Sequence, residues 1–238
     1  MRVSDLLAAR AHAPAGTTRA ATERLLPAGA WARAWAEPRF RARLLAVLVL
    51  LVGGLVPLMP TYFHLIQQRP GALLPDPLLA LLPRADVGQA IFLLMYGSVL
   101  AALAWLARHP VLLARGLWAY TLLLLLRMLT IWLCPLVPPL DMLPLPDPFT
   151  AYCFHAEAEV ITKDLFFSGH TATVVLLALA VRGRAWRAAL VAAAIAVGGL
   201  VLVQRVHYSY DVLAAPLFAW LAYWLAGRVT RGGVGRGF

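Results

Sequence analysis

Apolar residues run along this chain in long unbroken blocks, not in the alternation of a half-buried strand or the one-sided stripe of a soluble helix. After residue 43 there are six blocks, roughly Leu44–Pro60, Val87–Leu106, Val111–Leu133, Thr171–Val181, Ala188–Val203 and Val212–Ala226. A helix needs about 20 apolar residues to cross a bilayer. The fourth block is short, and starting it near Leu165 gives a full span. The stretch 110–136 holds Arg115 and Arg127 but reads as one span, because either half alone is too short to cross. The pattern predicts an all-α polytopic membrane bundle of six transmembrane helices over 44–226. An Arg/Ala-rich segment (1–43) precedes it and a short tail (227–238) follows. No internal repeat is visible.

Composition supports this. Of 238 residues, 62% are hydrophobic and 13% charged, against about 45–50% and roughly 25% in soluble domains. That excludes an ordinary soluble domain, a disordered chain and a disulfide-stapled module. The net charge of +10 comes from 21 basic and 11 acidic residues, and every basic residue except Lys163 is Arg. The arginines fall between apolar blocks, so the basicity reads as a topology signal and not as a nucleic-acid surface. Eight lie in 1–43, Arg108 and Arg115 follow the second block, Arg182, Arg184 and Arg187 the fourth, and Arg228, Arg231 and Arg236 the last. The other connections balance or lean acidic. The first sets Arg69 and Arg84 against Asp76 and Asp86; the next sets Lys163 against Asp141, Asp147, Glu157, Glu159 and Asp164; the last sets Arg205 against Asp211. Both termini are expected in the cytoplasm, with the connections after spans 1, 3 and 5 outside. The Arg and Ala bias suggests a GC-rich bacterial source, hence an inner-membrane protein with its site on the periplasmic face.

About 40 residues precede the first apolar block, so no cleaved signal is expected. The stretch Trp31–Phe40 has two readings, a helix in the headgroup plane or a loosely ordered tail.

Ionisable residues at span ends are costly and mark function. Two segments carry them, Lys163-Asp164-Leu165-Phe166-Phe167-Ser168-Gly169-His170-Thr171 and Arg205-Val206-His207-Tyr208-Ser209-Tyr210-Asp211. Both open spans running the same way, so topology places His170 and His207 at one membrane face. His207 and Asp211 are four apart and share a face if helical; a carboxylate there fixes the imidazole tautomer and raises its basicity. Ser168-Gly169 precedes a helix, whose free N–H groups form an anion site beside His170. Two imidazoles at such a site suit phosphoryl transfer through a phosphohistidine.

The order SGHT…HYSYD resembles the sphingomyelin synthase-related branch of the type 2 phosphatidic acid phosphatase (PAP2) superfamily. That branch carries D-x-x-[FY]-S-G-H-T and H-Y-[ST]-x-D, here Asp164–Thr171 and His207–Asp211. Leu74-Pro75-Asp76 resembles the family's PLPD segment, and Arg127-Met128-Leu129-Thr130 followed by Pro135 its R-x-x-T…P segment. The resemblance covers about residues 69–225. Lys163 stands where the branch usually has Gly. The phosphatase branch's extended K-x6-R-P and S-R-x5-H motifs are not found.

The resemblance implies a metal-independent double displacement with no cofactor. His207, oriented by Asp211, would attack the headgroup phosphorus of a phospholipid donor; His170 would protonate the departing diacylglycerol and then deprotonate a lipid-alcohol acceptor such as ceramide or diacylglycerol. Asp164 would position or tune His170. Arg127 is the leading candidate to grip phosphate, since a guanidinium binds its oxygens bidentately; its other reading is a snorkelling anchor. Ser168 and Gly169 belong to the anion site, and Arg205 and Lys163 are further substrate-binding candidates. In the long Pro-rich loop from about Leu136 to Phe166, Tyr152, Phe154, Glu157 and Glu159 are read either as contacts to a cationic headgroup or as solvated loop residues. Cys134 and Cys153 are read either as a disulfide or as free thiols. A lipid phosphate phosphatase or phospholipase C-like hydrolase is the alternative enzyme, and a lipid transporter the non-enzyme alternative. Headgroup, acceptor and any homo-oligomer are left open.

Overall fold

The computed structural model describes residues 27–147 and 161–230. Its elements are α1 (Pro27–Ala36), α2 (Pro38–Gln68), α3 (Pro77–Leu81), α4 (Gly88–Leu106), α5 (Pro110–Leu133), α6 (Gly169–Ala180), α7 (Arg184–Val203) and α8 (Ser209–Thr230). Among the described residues no strand forms; one pair of backbone hydrogen bonds joins Ala72 to Pro135 and Val137. Five helices, α2, α4, α5, α7 and α8, are long and apolar enough to cross a membrane. The all-α membrane bundle expected from the apolar blocks is what the chain forms.

Two expectations need correction. The first span does not end at Pro60 but runs from Pro38 to Gln68. Pro57 and Pro60 cannot donate backbone hydrogen bonds, and the helix widens into a π-helical segment at Val49–Leu55 just before them. The fourth span does not start near Leu165. α6 begins at Gly169 and has 12 residues, about 18 Å at 1.5 Å per residue, too short to cross.

The short helix makes sense once depth is considered. α6 packs in the middle, with α7, α8, α5 and α4 around it. A Cβ on Gly198 would lie 2.9 Å from Val212 and 3.6 Å from Thr171, so the last third of α7 and the starts of α6 and α8 share one level. From there α7 continues roughly 7–8 Å to Val203, and α5 roughly 9 Å from Arg127 to Leu133. In the other direction α7 runs roughly 21 Å to Arg184, so α6 starts recessed within the ~30 Å span of its neighbours. The non-helical stretch before it lies inside the bundle, where irregular backbone is tolerated only if protein satisfies it.

Small residues permit this packing. Ala215, Ala219, Ala222 and Ala226 are fully buried along one stripe of α8; they meet Ala119 and Leu123 of α5 and Ala172 and Leu176 of α6. Gly198 serves the same end, whereas Gly199 faces open space. The connections after α2, α5 and α7 meet over the recess. Arg84 Nε donates to Asp141 O (2.9 Å), Ala85 N–H to Val203 O (3.2 Å) and Leu143 N–H to Gln204 O (3.1 Å). Fully buried Gln204 ties them further, accepting from Val87 N–H (2.6 Å) and donating to Asp86 (3.3 Å).

Candidate active site

His170 lies in the first turn of α6, and His207 just before α8. Their ring centroids are 6.1 Å apart at 68°. They line a cleft together with Asp164, Val206, Met142, Leu145, Ile161 and Thr162. Alternate connections of an up-and-down bundle must meet at one end, and here they bring the two histidine segments together.

His207 is 3% exposed and Asp211 1%. His207 Nδ1 is 3.1 Å from Asp211 Oδ2. The pairing expected from their spacing is present, but not as two turns of one helix, since α8 starts only at Ser209. The turn 204–208 turns the imidazole back over the helix start. Asp211 Oδ2 also accepts from Tyr208 N–H (3.2 Å), the half of a capping box in which an acid inside the first turn reaches back to the cap. A carboxylate oxygen accepts, so this contact suits the His207 tautomer that carries its proton on Nδ1.

The backbone on either side is strained. Phe166 (φ 108°) and Arg205 (φ 61°) both lie at positive φ, uncommon for bulky side chains. Phe166 is followed by Phe167, whose ring stacks on Phe218 (4.5 Å, 6°). Ser168 N–H then donates to Asp211 O (3.0 Å), and the Ser168 hydroxyl caps α6 by accepting from Thr171 N–H (3.3 Å). Gly169 and His170 are the first two residues of α6, where a helix leaves its N–H groups without intrahelical partners. His170 Nδ1 is buried without a hydrogen-bond partner among the described residues.

Arg127, 7% exposed, holds this segment in place. Its guanidinium donates to Phe167 O (2.5 Å) and Asp164 O (3.2 Å) and pairs with Asp164 Oδ2 (2.5 Å). Arg127, Asp164, Ser168, Gly169 and His170 thus form one unit, in which the arginine satisfies carbonyls that a full-length helix would have satisfied itself. Gly169 is required by this contact, because a Cβ there would lie 2.6 Å from Arg127 Cζ. Gly169→Ala is expected to displace the guanidinium, lower stability by about 1–3 kcal/mol and reduce turnover at least tenfold. Thermal unfolding and activity in detergent check both.

Two substrate-binding candidates are turned elsewhere. The Lys163 ammonium donates to Gln67 O (2.7 Å) and Arg69 O (2.6 Å), closing the end of α2. Arg205 donates to Leu82 O (2.8 Å) and faces Asp141 at 3.7 Å, tying two connections together. Tyr152, Phe154, Glu157, Glu159 and Cys153 lie outside the described residues, and with them both readings of that loop and of the Cys134–Cys153 pair.

Sequence reading missed several contributors. Phe92 stands beside His170 (6.1 Å) and stacks on Tyr96 (5.8 Å), which donates to Asp147 (2.5 Å). Gln67 accepts from Thr162 N–H (3.2 Å) and Lys163 N–H (2.9 Å) and so sets the non-helical stretch leading to Asp164. Each sits in or next to an apolar block, where a single polar or aromatic residue gives no signal of which face it occupies.

Residues 163–228 match the family model described as PAP2 superfamily C-terminal. The matched stretch contains Asp164, His170, His207 and Asp211 together with α6, α7 and most of α8. The match supports a place in the PAP2 superfamily. A comparison with curated proteins finds no match.

Proposed function

From the PAP2 superfamily match over residues 163–228, we propose that the chain is a multi-pass membrane phosphotransferase. It moves the phospho-headgroup of a phospholipid to a lipid alcohol, ceramide or diacylglycerol, in the manner of a sphingomyelin synthase. The observation that carries this reading is a buried His207–Asp211 pair facing His170 in a recessed cleft. Its depth suits a phosphate carried just below a membrane surface by a lipid that stays in the bilayer.

In the proposed reaction His207 Nε2 attacks phosphorus while its Nδ1–H stays on Asp211. The bond from phosphorus to the diacylglycerol oxygen breaks, and that oxygen takes a proton from His170. The acceptor hydroxyl then gives its proton to His170 as its oxygen attacks the phosphohistidine; the P–N bond breaks and His207 is restored. The open N–H groups of Gly169 and His170 face the phosphate oxygens. Arg127 and Asp164 hold His170 in register, and Ser168 caps the helix that carries it. The ends of the chain before α2 and after α8 are assigned to the cytoplasm and the cleft to the periplasmic face of a bacterial inner membrane.

The test is headgroup transfer by purified protein in liposomes with a chelator present. Mixed labelled phospholipids are offered with ceramide or diacylglycerol, and products are read by mass spectrometry. A new headgroup-bearing lipid is expected, and it identifies donor and acceptor together. Free phosphate or phospho-alcohol without a lipid product would make the protein a hydrolase. No turnover of any donor would remove the enzymatic reading.

A further inference from the structure

Asp76 belongs to the short Leu74-Pro75-Asp76 segment of the α2–α4 connection and has no role in the chemistry above. Its carboxylate nevertheless reaches the catalytic helix. Oδ1 accepts from Leu79 N–H (2.9 Å) and from the Ser209 hydroxyl (2.8 Å), and Oδ2 accepts from Ser209 N–H (2.6 Å). The first bond makes Asp76 the cap of α3. The other two place the same carboxylate on the first residue of α8, from 133 positions away in the chain.

The start of α8 needs this help. A helix N-terminus leaves its first N–H groups without partners, and a small polar side chain at the cap usually supplies one. The cap position here is Tyr208, whose hydroxyl points away, donating to Val137 O (2.9 Å) and accepting from Leu74 N–H (3.4 Å). Two carboxylates cover the helix start instead. Asp211 accepts from Tyr208 N–H, and Asp76 accepts both Ser209 donors. Both are favoured by the positive end of the helix dipole. Burial works to raise the Asp76 carboxyl, but the hydrogen bonds from Leu79 and Ser209 outweigh it and hold it below its usual value. Asp76 therefore stays ionised and acts only as an acceptor.

Asp211 carries two duties on one oxygen, since Oδ2 receives both Tyr208 N–H and His207 Nδ1–H. Without Asp76, the Ser209 N–H and hydroxyl would lose their acceptor in a buried site, one residue along the chain from the Tyr208 N–H that Asp211 holds. We infer that Asp76 is a positioning residue: by taking the Ser209 donors it keeps the Asp211 carboxylate on His207 and so sets the tautomer and direction of that imidazole. The inference rests on the proposed function only in naming His207 as the nucleophile.

The test uses the full chain labelled with 15N-histidine, in nanodiscs, with the His207 Nδ1–H proton resonance assigned by its loss in His207→Ala. In Asp76→Asn, which keeps one carbonyl acceptor and the size of the side chain, this resonance is expected to shift or broaden while the other histidine signals stay. The transfer kcat should fall roughly 10–100-fold with an unchanged donor KM. Asp76→Asn with Ser209→Ala removes one of the competing donors, so part of the resonance and a few-fold of the kcat should return. An unmoved His207 resonance in Asp76→Asn would overturn the inference, and so would a double variant at least as impaired as the single one. If the wild-type protein turns over no donor, the proposed function fails, while the resonance still decides what Asp76 does.

Discussion

His207→Ala is expected to abolish transfer, on the order of 10⁴-fold or more, because it removes the atom that bonds to phosphorus. Asp211 would be left holding only Tyr208 N–H, with nothing to orient. The loss of activity should far exceed the loss of stability. Asp211 gives up one buried hydrogen bond, about 1–3 kcal/mol, and thermal unfolding in detergent measures that share separately. A donor labelled in its headgroup phosphate should leave acid-labile, base-stable label on the wild-type protein, as a phosphohistidine does, and none on the variant. His170→Ala should behave differently. It removes a proton carrier and not the nucleophile, so a loss of about 10²–10⁴-fold is expected, with the label still able to form on His207. Label on His207→Ala would move the nucleophile elsewhere and sink the mechanism.

Arg127→Ala is expected to be the most destabilising single change at the site. It would strip the Phe167 and Asp164 carbonyls of their donor and leave the Asp164 carboxylate unpaired, its other oxygen already without a partner among the described residues. Removing one member of a buried ion pair costs about 3–5 kcal/mol. Asp164 is 27% exposed in its side chain, which places the expected loss at the lower end. Arg127→Lys should not restore it, because one ammonium cannot serve two carbonyls and a carboxylate along a planar fork. Chemical or thermal unfolding in a fixed detergent measures the difference. Activity should fall with stability, since the same contacts fix the start of α6 and with it His170. An Arg127→Ala protein as stable as wild type would return the guanidinium to the role of substrate ligand alone.

These contacts add partners to Arg127 that its sequence context does not show. An arginine inside an apolar span announces itself by cost, and the SGHT and HYSYD segments supply histidines at the matching end. What the segment lacks is any sign that the arginine is engaged with the chain. That depends on α6 being only 12 residues long, and its length is set by a backbone turn at Phe166 that hydrophobicity does not encode. The apolar run from Leu165 to Phe167 looks like more helix, yet Phe167 stacks on Phe218 from an irregular segment. Pro60 misleads in the opposite direction, because a helix surrounded by lipid continues past a proline that would end it in water.

The amino-acid sequence alone determined the class of fold, the approximate position of the five long apolar helices and the shared end of His170 and His207. Apolar length and the alternation of up and down spans are one-dimensional properties, and the ~30 Å thickness of a bilayer converts them directly into topology. The pairing of His207 with Asp211 was also legible, as a four-residue spacing. Only the tertiary structure showed which partner each polar group takes. It turned Lys163 to the end of α2, Arg205 to Leu82, Arg127 to Asp164 and Asp76 to Ser209. The reason is that a buried polar group takes whatever partner lies within about 3 Å. Here those partners come from connections tens of residues away in the chain, which meet only when the bundle closes.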